Sequence, residues 1–62
     1  MSQRDFYLSR AEEARMGADA AVLANVRDRW LRAEAAWTEM AERVARTEAA
    51  RTERDRAALP TT

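Results

Sequence analysis

The chain contains no cysteine, no histidine and no lysine, and only one glycine and one proline among its 62 residues. Without Cys or His there is no disulfide framework and no thiolate or imidazole metal site. Without His or Lys, the hydroxyls of Ser2 and Ser9 lack a base to activate them, and Tyr7 stands alone. No catalytic residue is therefore expected, and the chain reads as a non-enzyme. A surplus of charge is also missing, because eleven Arg balance eleven Asp plus Glu. Nucleic-acid binding needs a basic excess to displace counterions from phosphates, so no nucleic-acid partner is expected. The longest stretch without a charged residue, Ala20 to Val26, falls far short of the roughly 18 apolar residues that span a bilayer. Met1 to Arg15 is charged throughout, unlike the apolar core of a signal peptide. These features predict a soluble, cytoplasmic chain with no membrane partner.

What remains is dominated by three residue types. Fifteen Ala, eleven Arg and seven Glu fill 33 of the 62 positions. All three are strong helix formers, so the composition predicts an all-α protein. The hydrophobic fraction of 47% overstates the core, because fifteen of those residues are Ala and bury little area each. A chain this short rarely stabilises itself on one small core, which points to a partner surface.

Two apolar stripes organise the sequence. Tyr7, Ala11, Ala14, Ala18 and Ala21 recur at steps of four and three, marking one face of a helix lined by small side chains. Ser2 is placed as its N-cap, with Asp5 in a capping-box position three residues on. Gly17 inside this helix costs about 1 kcal/mol against Ala; it marks either a close approach of another helix or a weak point. The second stripe, Val26, Trp30, Ala33, Trp37, Met40 and Val44, repeats at four, three, four, three and four, an a/d heptad pattern. The step of five between Ala21 and Val26 breaks the phase, and Asn25, with Asp28 three residues later, resembles a second N-cap. The spacing thus predicts helix 1 at about 3–22, a turn at about 23–25, helix 2 at about 26–58 and a frayed tail at 59–62 after the stop at Pro60. The rival is one continuous helix, since neither Gly nor Pro marks the turn.

Folding the chain near residue 24 makes facing positions sum to about 48. Trp30 then falls opposite Ala18, Ala33 opposite Ala14, Trp37 opposite Ala11, and Met40 opposite Tyr7 or Leu8. Large side chains meet small ones, as interdigitated packing requires. Helix 2 is expected to outrun helix 1 by roughly ten residues, about 15 Å at the helical rise. In that overhang, from Arg46 to Arg56, Arg51 and Asp55 are spaced for an i,i+4 ion pair. It is either a solvated end or a landing site for another chain.

Other constellations read as solvated surface. Glu39 and Glu42 share a face but lack a catalytic companion. Glu34, Glu39 and Glu42 flank the apolar stripe, and a bundle-type metal site would want His beside such carboxylates. No metal or cofactor is assigned. The arginines Arg27, Arg29, Arg32, Arg43 and Arg46 are interleaved with acids, as on salt-bridged helix faces. Trp30 and Trp37, seven residues apart, fit a packing seam, and an alanine-lined partner helix covers only one side of each indole.

Three segments, Tyr7-Leu8-Ser9-Arg10-Ala11-Glu12, Asn25-Val26-Arg27 and Ala36-Trp37-Thr38-Glu39-Met40-Ala41-Glu42, together resemble a group of short uncharacterised bacterial proteins. That resemblance implies a helical hairpin and carries no assigned activity. The sequence is accordingly read as a two-helix antiparallel hairpin that dimerises into a four-helix bundle. Its interface is expected at Tyr7, Ala11, Ala14, Ala18, Val26, Trp30, Ala33, Trp37, Met40 and Val44. The expected function is a small protein–protein interaction module, an adaptor or regulator that self-associates or binds another protein. The alternatives are an accessory subunit of a larger enzyme complex and a carboxylate-based metal or ligand binder.

Overall fold

A computed structural model describes residues 2–60. It contains two helices and, among the described residues, no strand: α1 spans Gln3–Ala20 and α2 spans Ala24–Ala58. They lie antiparallel side by side in a molecule 62 Å long and 19 by 11 Å across. This is a helical hairpin and not one continuous helix.

Local chemistry fixes both ends of α1. Ser2 is extended, and its Oγ accepts the Asp5 N–H at 3.1 Å, satisfying one of the backbone donors that a helix start leaves free. The acid at Asp5 also sits favourably in the first turn, at the positive end of the helix dipole. At the other end the Ala21 N–H reaches back to the Ala18 carbonyl at 3.2 Å, and the backbone then turns extended.

The reversal falls two residues earlier than the sequence reading, at 21–23 instead of 23–25. Asn25 lies inside α2 and is not its N-cap. Leu23 takes that position with no side-chain cap, and its carbonyl accepts the Arg27 N–H at 3.0 Å. The step of five between the two apolar stripes is absorbed by extended residues, Ala21 at φ −72° and ψ 131° and Leu23 at φ −89° and ψ 136°. Among the described residues none has positive φ. A left-handed turn would have needed Gly or Asn; this one does not, so no such residue marks it.

α2 has 35 residues against 18 in α1, a larger difference than expected because α1 stops at Ala20 and α2 begins at Ala24. It ends with Arg56 in its last turn, well placed against the negative end of the dipole, and Leu59 as an extended C-cap ahead of Pro60. Leu59 and Pro60 carry no helix; the remainder of the expected tail, Thr61 and Thr62, lies outside the described residues. In the overhang the ion pair that forms is Glu53 with Arg56 at 3.7 Å, not Arg51 with Asp55.

The core is made of alanine. Among the described residues the buried side chains are Ala11, Ala14, Ala18 and Ala41. Small side chains on both helices let the backbones approach closely, and the larger apolar groups are displaced to the flanks of that contact.

Candidate interaction face

The flank is where the large side chains gather. Near the start of α1, Tyr7 stacks on Trp37 of α2, with ring centroids 5.8 Å apart and planes inclined by 30°. Phe6 meets the same indole edge-on at 6.2 Å and 90°, and meets Tyr7 at 5.7 Å. Offset and T-shaped contacts of this kind add roughly 0.5–1.5 kcal/mol beyond the area they bury. The Arg10 guanidinium covers the Phe6 ring at 5.2 Å, and the Gln3 amide donates to the Tyr7 hydroxyl at 3.1 Å. Three aromatic rings thus pin the N-terminal half of α1 to the middle of α2.

Nearer the turn, Trp30 lies over Gly17. A Cβ built on Gly17 would stand 2.5 Å from both Cδ2 and Cε2 of Trp30, well inside van der Waals contact. Of the two meanings open to this glycine, close approach is the one the structure gives. The indole meets the residue next to the expected Ala18. Trp37, in turn, finds the aromatic pair Phe6 and Tyr7. The pairing of large against small therefore operates at Trp30, while at Trp37 aromatic meets aromatic.

The expected seam divides into three groups. Ala11, Ala14 and Ala18 are buried; Tyr7, Val26, Ala33, Trp37 and Val44 are half-buried; Trp30 and Met40 remain 42% and 37% exposed. Met40 is thus not part of the core. The residue that enters it is Ala41, 2% exposed and absent from the seam read in the sequence. Successive helix residues point about 100° apart, so the line of α2 facing α1 runs beside the Val26–Val44 stripe and not along its centre. Ala41, four residues after Trp37, was open to detection as a small residue at helical spacing. The heptad template passes it over because its alternating steps go from Trp37 by three to Met40 and not by four to Ala41.

The polar groups are surface groups. The one ion pair between the helices among the described residues is Arg15–Glu34 at 3.8 Å, with Arg15 also 3.4 Å from Asp19. Glu39 is held by Arg43 at 3.3 Å and Glu13 by Arg10 at 3.2 Å. Two of the carboxylates considered as metal ligands, Glu34 and Glu39, are thereby paired with arginine, and among the described residues no three acidic side chains form a group that could hold a metal ion. The Ser2 hydroxyl is used as a cap and the Tyr7 hydroxyl accepts from Gln3. Among the described residues no helix is long and apolar enough to cross a membrane.

An open groove of about 350 Å³ lies where α1 begins, lined by Gln3 and Tyr7 from α1 and by Met40, Arg43, Val44, Thr47, Glu48 and Arg51 from α2. It continues the aromatic cluster toward the overhang.

Compared with known protein families, characterised proteins and solved structures, the chain matches none.

Proposed function

We propose that this chain is a non-enzymatic helical interaction module that associates with a second copy of itself through its Trp/Ala seam, forming a four-helix bundle. One observation carries the reading. The buried core consists of four alanines, while Phe6, Trp30 and Met40 keep 37–42% of their surface in water on the same molecule. At roughly 25 cal/mol per Å² of apolar surface, the largest hydrophobic gains open to this sequence are only partly realised within the hairpin. A surface laid over Trp30, Trp37 and Met40 would complete them.

Light scattering after size-exclusion, at several concentrations and with circular dichroism on the same samples, tests this. A helical species of twice the chain mass that persists on dilution is the expected result. A helical monomer would end the proposal. If Trp37→Ala altered neither the mass nor the melting temperature, the seam would be wrongly placed.

A second reading, an accessory subunit lodged on a larger protein, draws on the overhang, where every residue from Arg46 to Ala58 is exposed. It is distinguished by an isolated chain that is unfolded in the same circular dichroism measurement.

A further inference from the structure

The spacing of the stripe Val26, Trp30, Ala33, Trp37, Met40, Val44 is the same in both directions, although its residues are not. Its steps of four, three, four, three and four are symmetric about Ala35. Turned end over end about that point, Val26 falls on Val44, Trp30 on Met40, and Ala33 on Trp37. An antiparallel two-fold contact between two copies of a helix uses such spacing, which any a/d stripe has; the side chains that it brings together distinguish this one. The pairs are also complementary in volume: a valine on a valine, a thioether against an indole, and an indole over an alanine.

We infer that α2 packs against α2 of a second copy, antiparallel, with the two-fold axis at the level of Ala35. This rests on the self-association proposed above and specifies its geometry. In heptad terms Val26, Ala33 and Met40 are d positions and Trp30, Trp37 and Val44 are a positions, so every layer joins an a to a d, as antiparallel helix pairs do. The face is partly open: α1 takes the Ala41 side of α2 and touches Trp30 and Trp37 from that side, yet Trp30 keeps 42% and Met40 37% of its surface exposed. On the flank away from α1, Ala36 meets Ala36 of the second copy beside the axis and permits close approach. Toward each end of that flank Arg29 comes near Arg43 of the second copy, displaced by about 3 Å along the axis, and the charge of Arg43 is already offset by Glu39 at 3.3 Å. The zero net charge of the chain leaves no long-range repulsion between copies.

The same register accounts for two further exposed features. Val22 and Leu23 in the turn are 91% and 63% exposed. With paired positions summing to 70, they come level with Glu48 and Thr47 of the second copy, where its overhang begins. Each overhang then passes the apolar turn of the other hairpin instead of projecting into solvent from its first residue.

Distances between spin labels at single introduced cysteines test the geometry, and the cysteine-free sequence makes the labelling specific. Arg32 and Ala50 are both exposed and lie five turns apart on one strip of α2, so Arg32→Cys and Ala50→Cys carry labels with the same outward direction. In the antiparallel pair, identical positions separate along the axis by about 3 Å for each residue from Ala35, twice the helical rise. The label pair at position 32 is expected about 9 Å apart along the axis and that at position 50 about 45 Å apart. Equal distances at the two sites would mean a parallel pair and overturn the inference while self-association stands. A pair of distances that places the midpoint elsewhere would overturn the register. A monomeric mass with no dipolar signal would overturn both the inference and the self-association on which it rests.

Discussion

Replacing Gly17 by alanine separates two effects of opposite sign. Alanine in a helix interior is favoured over glycine by about 1 kcal/mol, so an unconstrained Gly17→Ala would stabilise α1. Here the new methyl would sit 2.5 Å from two carbons of the Trp30 indole, against the roughly 3.5–4.0 Å that a carbon–carbon contact needs. The indole is 42% exposed and is free to swing outward. Doing so returns on the order of 100 Å² of apolar surface to water, a loss of about 2.5 kcal/mol. The net expectation is a destabilisation of about 1.5 kcal/mol, or a fall in melting temperature of roughly 6–12 °C for a chain of this size. Thermal unfolding followed by circular dichroism, at matched protomer concentration, measures it. The same substitution made in a Trp30→Ala background meets no indole and should stabilise by about 1 kcal/mol. A reversal of sign between the two backgrounds is the signature of the contact. If Gly17→Ala raised the melting temperature equally in both, Trp30 would not lie over Gly17.

Other substitutions probe the remaining contacts. Trp37→Ala removes the ring that joins Phe6 and Tyr7 to α2 and should cost about 3 kcal/mol or more, read as lost helicity on heating. Ala14→Leu places a large side chain at a position 1% exposed and should cost about 1–3 kcal/mol, whereas Ala50→Leu in the overhang should leave hairpin melting unchanged. Ser2→Ala should cost about 1 kcal/mol through loss of the cap to Asp5. Asn25→Ala distinguishes the two placements of the turn: inside α2 it should be neutral or stabilising by a few tenths of a kcal/mol, while a true N-cap would lose about 1 kcal/mol.

The helical hairpin was legible in the sequence because its signals are local. Ser2 and Asp5 announce the start of α1 by a cap that needs no tertiary partner, and the change of phase between the apolar stripes requires a reversal somewhere. The position of that reversal was not legible. Asn25 has the chemistry of a cap, but a connection made of extended residues needs neither a cap nor a glycine, and packing decides where it falls. The face of α2 turned toward α1 was misplaced for a related reason. Periodicity locates an apolar stripe, yet the closest approach of two helices is made at small residues such as Ala41, beside the stripe. Gly17 is compatible in the sequence with either a close approach or a weak point, and the position of Trp30 above it, set by the packing of the helices, selects the first. The aromatic grouping of Phe6, Tyr7 and Trp37 depends on the relative rotation of the helices, which sequence spacing does not encode.

The unequal lengths of α1 and α2 bear on how the molecule opens. Where α1 lies alongside, releasing a backbone amide of α2 means disrupting alanine and aromatic contacts between two helices. Beyond Arg51, the last α2 residue to line a groove with Gln3, the helix is held by its own hydrogen bonds and by one exposed ion pair. Short isolated helical segments are marginal in water, so these last turns should open independently of the rest. Amide hydrogen exchange along α2 should therefore be graded, slowest around Ala41 and approaching the free-peptide rate toward Ala58. One continuous helix thus contains a long slow-exchanging part and a short fast-exchanging end, with the boundary set by where its neighbour begins.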